Sequence, residues 1–274
     1  NNPILFLFCI SQDEWQLIRN NPFKPLINIS LSGLYSPGST IKPIVALSAL
    51  ENGIIDSKFK VQCKGKMELH GQTFHCWKEK GHGYVSLNNA MKQSCDTYFY
   101  EVARILGVDR LKVTADKFGL GKKVLGEYFE NEKAGQFPDT KWKINKLGKG
   151  WVLGETLITG IGQGYTQTTP IQLCLMTAQI ANGGYKIQPK ILTDDNQLTS
   201  EQVKKAMQDS KSNDFYEPLY DDQKNIRIVQ EAMFSSTNEL MGTSYRSRID
   251  DPKYQFAGKT GTAQVKRISK RERE

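Results

Sequence analysis

The chain has 274 residues, of which 38% are hydrophobic and 24% charged, and its formal net charge is +8. This length and composition fit a globular protein with a sizeable core, and five cysteines are too few for a disulfide scaffold. Apart from the C-terminal residues 266–274, the basic residues are scattered and lack an aromatic-interleaved patch, so nucleic-acid binding is not expected.

The first part of the chain predicts a buried strand, a short helix and a buried helix. Residues 3–10 are the longest apolar run, which is too short for a membrane-spanning helix of roughly 20 residues and lacks the basic flank of a signal peptide. A buried strand is therefore expected there, and a short helix over residues 11–20. Residues 39–52 place apolar side chains near helical spacing and stop at Asn52 and Gly53, which predicts a buried helix.

The rest of the chain predicts a mixture of helices and strands. Short strands and loops are expected over residues 54–85, two helices meeting around Ser94, and irregular structure over 122–154. Later segments predict a helix after the capping residue Thr169, an inserted lobe at 193–225, a helix at 226–240 and a strand at 254–265. Such a mixture without regular alternation indicates an α+β or layered α/β/α domain.

Two motifs place serine beside groups that can serve acyl transfer. The first motif (residues 39–42, "STIK") sets Ser39 and Lys42 one helical turn apart, although an ordinary helix start has the same pattern, and residues 57–60 repeat the spacing. The second motif (residues 94–96, "SCD") is one of four Ser-x-Asp or Ser-x-Asn sequences, and it alone falls at a junction of two apolar helices. A helix N-cap is the alternative explanation for it.

The third motif (residues 259–261, "KTG") offers Lys259 and Thr260 as donors for a carboxylate, and Gly261 as a place where another chain segment can come close. A phosphate-binding loop is excluded, because position 253 is a lysine where such a loop needs glycine. An exposed edge strand is the alternative.

Three cysteines and all three histidines fall between residues 63 and 95. Cys63, Cys76, His82 and Cys95 supply four ligands suited to tetrahedral zinc. Buried free cysteines and a disulfide between Cys63 and Cys76 are the alternatives, and His70 or His75 are possible substitute ligands.

The three motifs occur in the order typical of penicillin-binding proteins and serine β-lactamases. Together with "LYSPGSTIKP", "GIGQGYTQTTPIQLCLMTAQIANGG" and "AGKTGTAQV", they make the chain resemble the transpeptidase domain of class B penicillin-binding proteins, most closely the penicillin-binding protein 2 branch. This resemblance implies a layered α/β/α fold with a central antiparallel sheet and an all-helical lobe. It also implies one domain over residues 1–274, with a membrane anchor, a pedestal domain and the end of the fold lying outside this chain.

The resemblance also implies residue roles. Ser39 would be the acyl-forming nucleophile, Lys42 the general base and Ser94 a proton relay. Lys259 and Thr260 would hold a terminal carboxylate beside Gly261, and the backbone N–H groups of Ser39 and Thr262 would form an oxyanion hole. Most of the family has Asn where this chain has Asp96, so a contact of Asp96 with Lys42 or Lys259 is expected. In zinc-carrying members the ligands include the positions of His82 and Cys95, and the metal is structural.

The implied function is peptidoglycan D,D-transpeptidation during cell-wall elongation and rod-shape maintenance, at the periplasmic face of the inner membrane. Implied ligands and partners are stem peptides of the lipid-linked precursor, β-lactams, the scaffold protein MreC and a polymerising glycosyltransferase. The alternatives are a D,D-carboxypeptidase or β-lactamase of the same superfamily, or a non-catalytic β-lactam sensor.

Overall fold

The computed structural model describes residues 10–56, 58–126, 129–189 and 217–263. Its helices are α1 (Gln12–Arg19), α2 (Ile29–Ser32), α3 (Lys42–Glu51), α4 (Leu87–Lys92), α5 (Asp96–Leu106), α6 (Val108–Lys117), α7 (Thr140–Leu147), α8 (Leu153–Thr159), α9 (Pro170–Ala181) and α10 (Lys224–Asn238). Single 3₁₀ turns cover Gly38–Ile41, Tyr245–Ser247 and Pro252–Tyr254. The strands are β1 (Val61–Cys63), β2 (Lys66–Leu69), β3 (Gln72–His75) and β4 (Gly83–Val85).

The four strands form two small antiparallel sheets. β1 pairs with β4, so that Gln62 lies opposite Tyr84, and β2 pairs with β3 in a tight hairpin. The predicted α+β class and the antiparallel pairing are confirmed. A larger central sheet is not found among the residues that the structure describes.

Helix α3 is the centre of the core. All eight residues from Lys42 to Ala49 are buried, as expected for a helix that is apolar on nearly every side and surrounded by other elements. Helices α5, α6 and α10 pack around it. A 3₁₀ turn precedes α3 directly, so Ser39 lies in the first turn of a continuous helical path. The predicted buried helix is confirmed.

Several other predicted helices are confirmed, and they begin or end at the predicted residues. Helix α1 begins with a capping box at Ser11, and α9 begins where Thr169 accepts a hydrogen bond from the backbone N–H of Gln172. Helices α4 and α5 meet at Ser94, as predicted, and α5 ends at Gly107.

Two predictions are wrong. The segment 122–154 contains α7, whose lysine-rich sequence has no clear apolar periodicity; the Asp139 side chain caps it by accepting from the N–H of Trp142. The strand expected over 254–265 is absent from residues 255–263. There the backbone N–H of Gly258 donates to Met233 of α10, so the segment is bound to a helix and joins no ladder.

Some predictions concern residues outside the described ranges, including all but the last residue of the strand at 3–10, most of the lobe at 193–225, and Ser57 of the second Ser-x-x-Lys copy. In the described part of the chain, no helix has both the length and the apolar character needed to cross a membrane.

Candidate active site

Ser39 lies where three chain segments meet. Gly38 before it has a φ of +56°, a conformation that glycine adopts readily, and its N–H donates to the carbonyl of Gly162 at 2.9 Å. A Cβ atom on Gly38 would lie 2.4 Å from the carbonyl oxygen of Thr262. The backbone of Thr262 therefore lies against the turn that carries Ser39, where an oxyanion hole was expected.

Lys42 is fully buried and joins the first motif to the second. Its Nζ donates to Asp96 Oδ1 at 2.7 Å, to the Ser94 carbonyl at 2.9 Å and to Ser94 Oγ at 3.1 Å. The expected contact of Asp96 with a lysine is thus made with Lys42. Each amine hydrogen has an acceptor, which offsets the cost of burying the group.

Ser94 Oγ is shared by two lysines. Lys259 Nζ donates to it at 2.8 Å, in addition to the contact with Lys42. Ser94 has a φ of +53°, a left-handed conformation that costs a non-glycine residue about 1–3 kcal/mol. The two lysines compensate for this strain by holding the carbonyl and the hydroxyl of Ser94.

Lys259 has an unusual environment for a lysine. Burial, and after it the nearby Lys42, lowers the pKa of Lys259 to about 7, while Asp96 acts in the opposite direction. A large share of Lys259 is therefore neutral at physiological pH. Small changes of pH or of bound charge change its protonation.

Thr260 and Gly261 complete the third motif. Thr260 Oγ1 donates to Thr243 Oγ1 at 2.9 Å, and the N–H of Thr243 donates to the carbonyl of Lys92 at 3.0 Å. A Cβ on Gly261 would lie 2.6 Å from Thr40 Cγ2, so the expected close approach is present, although it involves a helical turn and not a second strand. Thr243 was missed from the sequence, because no local pattern marks it.

Cys63, Cys76, His82 and Cys95 form a second constellation, the cysteine cluster. Their four ligand atoms all lie within 4.8 Å of one another, and the three cysteines are buried with free thiols. His82 Nδ1 lies 3.5 Å from Cys63 Sγ and 3.6 Å from Cys76 Sγ. A disulfide between Cys63 and Cys76 is therefore not formed, and neither His70 nor His75 belongs to the cluster.

Two of the three cysteines in the cluster favour the thiolate form. A hydrogen bond from Cys95 lowers the pKa of Cys76 strongly and raises that of Cys95, which keeps its proton. Burial opposes ionisation of Cys63, but hydrogen bonds with Thr97 and His82 outweigh it and lower the pKa of that thiol. A deprotonated thiol is the form that binds a metal.

Trp77 connects the cysteine cluster to the second motif. Its backbone N–H donates to Asp96 Oδ2 at 3.0 Å, and its indole Nε1–H donates to the carbonyl of Gln93 at 2.9 Å. Asp96 therefore contacts Lys42 through one oxygen and the loop after β3 through the other. No sequence signal marks this role of Trp77, apart from its position beside Cys76.

All three motifs thus meet around Ser39 and Ser94, and a family model fits nearly the whole chain. The model described as "Penicillin binding protein transpeptidase domain" matches residues 11–273. The chain belongs to this family. Its resemblance to class B members is supported by 37% identity to the peptidoglycan D,D-transpeptidase MrdA of Acinetobacter baumannii, over 99% of this chain and 39% of the relative.

Solved structures of the same family share the fold. Pseudomonas aeruginosa PBP2 in complex with WCK 5153 matches with a TM-score of 0.80 and 37% identity, covering 93% of this chain and 56% of that one. Helicobacter pylori PBP2, in a complex with MreC, matches with a TM-score of 0.77 and 33% identity, covering 93% and 45%. The chain spans about two fifths of the length of the curated relatives it matches.

We expect Asp96→Asn to lower the free energy of unfolding by about 3 kcal/mol, because it leaves the buried Lys42 without its countercharge. Asp250→Asn is the matched control: its ion pair with Arg248 is on the surface and its side chain is 84% exposed, so less than about 1 kcal/mol is expected. Urea denaturation of both variants measures the difference. Equal losses would contradict a structural role for the Lys42–Asp96 pair.

Proposed function

We propose that this chain is the transpeptidase part of an enzyme that cross-links peptidoglycan through a serine acyl-enzyme. The observation that carries the proposal is the position of Ser94 Oγ, which lies 3.1 Å from Lys42 Nζ and 2.8 Å from Lys259 Nζ. Ser94 Oγ thus contacts both Lys42, the proposed base, and Lys259, the proposed carboxylate-binding lysine. Lys42 lies one helical turn after Ser39.

In the first half-reaction, Ser39 Oγ attacks the carbonyl carbon between the two terminal D-alanines of a donor stem peptide. To act as base, Lys42 first releases to solvent one of the three hydrogens that it donates in the resting site; it then takes the proton of Ser39, and the carbonyl oxygen takes up negative charge between the N–H groups of Ser39 and Thr262. The C–N bond then breaks, Ser94 passes its proton to the departing D-alanine amine and receives one from Lys42, and an ester to Ser39 remains.

In the second half-reaction, an amine of another stem peptide attacks this ester. A new amide bond forms, the C–O bond to Ser39 breaks, and the proton released by the amine returns to Ser39 Oγ. Lys259 and Thr260 hold the terminal carboxylate of the donor, because an ammonium and a hydroxyl both donate to carboxylate oxygens. A β-lactam would acylate Ser39 by the same first step.

The cysteine cluster fits a structural zinc ion. Tetrahedral zinc, with Zn–S of about 2.3 Å and Zn–N of about 2.0 Å, places nitrogen and sulfur ligands about 3.5 Å apart. The two distances from His82 Nδ1 to Cys63 and Cys76, 3.5 and 3.6 Å, agree with this geometry. When bound, zinc would cross-link the end of β1, the loop after β3, the start of β4 and the residue before α5.

We also infer the cellular setting from the family resemblance. It is the periplasmic face of the inner membrane during elongation, with an anchor in a part of the protein that precedes this chain. MreC and a polymerising glycosyltransferase are the proposed partners. A PBP2 of Helicobacter pylori has been solved with MreC, which supports the first of them.

Replacing the nucleophile tests the function. We expect Ser39→Ala to abolish covalent labelling by a fluorescent penicillin, while Ser36→Ala in the same loop labels as the unaltered chain does. Intact-mass spectrometry after exposure to the drug locates the adduct, and an adduct at another serine would refute the assignment. Incubation with lipid-linked precursor and, separately, with a β-lactam distinguishes the alternatives. Cross-linked product supports the transpeptidase, whereas trimmed peptide alone would indicate the carboxypeptidase. Opened β-lactam alone would indicate the β-lactamase, and acylation without turnover would indicate the sensor.

Removal of a cluster ligand tests the metal. Purified protein should contain about one zinc ion per chain, and Cys76→Ser should lose most of it because three ligands remain. The control is Cys174→Ser, since Cys174 is an exposed free thiol. Elemental analysis of the three proteins gives the stoichiometry. A metal-free unaltered chain with its thiols intact and full activity would contradict the zinc site.

The lowered pKa of Lys259 predicts a pH dependence of donor binding. Below about pH 7 the ammonium form binds the donor carboxylate, and above it the neutral amine does not. We expect the apparent KM for a carboxylate-bearing donor to rise roughly tenfold between about pH 6 and pH 8. In Lys259→Arg the charge persists, so KM should stay flat over this range. A rise in kcat through pH 7 at constant KM would instead make Lys259 a proton acceptor.

A further inference from the structure

Trp77 is an exposed tryptophan whose side chain is nevertheless fixed. It is 59% exposed, yet its indole N–H, its backbone N–H and its ring edge all have partners. The ring contacts His82 edge to face, with 5.4 Å between the ring centroids. Rigid, exposed aromatic rings bind ligands at low entropic cost, because little side-chain freedom remains to be lost.

Trp77 is attached to the residues that surround Ser94 in the second motif. Its two hydrogen bonds reach Gln93 and Asp96, the residues on either side of Ser94 and Cys95. Lys259 reaches Ser94 from the third motif. Trp77 and the carboxylate-binding residues therefore contact the second motif from different elements.

A donor ligand has two ends. If acyl transfer occurs at Ser39 as proposed above, the terminal carboxylate lies at Lys259 and Thr260 and the reacting carbonyl at Ser39. The acyl portion on the other side of that carbonyl therefore has to extend away from Lys259 and Thr260. The ring of Trp77, which is fixed to the second motif through the Gln93 carbonyl, is an exposed apolar surface that could receive it.

We propose that the exposed face of Trp77 binds the apolar part of the donor's acyl chain and so determines specificity for it. The chemical class is an acyl group with aliphatic or aromatic carbon close to the carbonyl, attached through an amide. The carboxylate end of the ligand does not contact Trp77. The contribution of the ring should consequently depend on the acyl group alone.

Two penicillins that differ only in this group test the proposal. Benzylpenicillin carries an arylacetyl group, whereas 6-aminopenicillanic acid has the same bicyclic core and carboxylate with a free amine. We expect Trp77→Ala to lower the second-order acylation rate of Ser39 by benzylpenicillin about tenfold and that by 6-aminopenicillanic acid less than about twofold. Trp77→Phe should stay within about threefold of the unaltered chain with both, since it keeps a ring.

The matched control is Tyr84→Ala, which removes another exposed aromatic ring, on β4, without a hydrogen bond to the second motif in the described structure. It should leave both rates unchanged. If Trp77→Ala does not fold, Trp77→Leu should still lose more rate with benzylpenicillin than with the smaller probe. Equal losses with both probes, or no loss with either, would overturn the role of Trp77 in specificity and leave the proposed function standing. Failure of both probes to acylate the unaltered chain would overturn the proposed function as well.

Discussion

The buried amine of Lys42 is the group on which the arrangement of this site depends. It lies at the start of the most buried helix, and its contacts are Asp96 and both the carbonyl and the hydroxyl of Ser94. Removing an ion pair from water costs several kcal/mol for each charge, so these acceptors have to stay in place. The same contacts hold Ser94 in a left-handed conformation that a free serine avoids. The contacts that stabilise the buried Lys42 therefore also fix the position of the Ser94 hydroxyl.

Asp96 extends this constraint to the cysteine cluster. Its second oxygen accepts from the backbone of Trp77, which follows Cys76, and Cys95 directly precedes Asp96 in the chain. A movement of either cysteine would thus be transmitted to the carboxylate that pairs with Lys42. Because of this connection, a metal with no part in the chemistry would still influence acylation. The same connection explains why a carboxylate suits this position: it can accept from a lysine and from a backbone N–H at once.

Sequence reasoning succeeded where the signal is local. The caps of α1 and α9, the apolar helix α3 and the junction at Ser94 all follow from neighbouring residues, and the order of the three motifs identified the residues that the fold brings together. It failed where the local structure depends on contacts with residues that are distant in the sequence. Helix α7 is supported by a contact of Thr140 with Asp109, which is 31 residues away. Residues 254–265 were expected to form a strand, although Gly258 is bonded to a helix. Trp77 and Thr243 could not be found, because the hydrogen bonds that connect them to the site, to Gln93 and from Thr260, join residues 16 and 17 positions apart.

The two sides of the site are supported by different forces. Lys42 is the first residue of α3, and Ser39 lies in the 3₁₀ turn directly before it. Burial of eight consecutive residues sets the position of α3, so many residues contribute to holding it. The third motif is held by a few polar contacts: Gly258 to Met233, Lys259 to Ser94, Thr260 to Thr243, and Thr243 to Lys92 just before the second motif. Burial of a helix is insensitive to most single surface changes, whereas a segment held by a few hydrogen bonds is weakened when one of them is lost. Variation in the proposed carboxylate site should therefore arise at residues such as Thr243 more readily than at those that place Ser39.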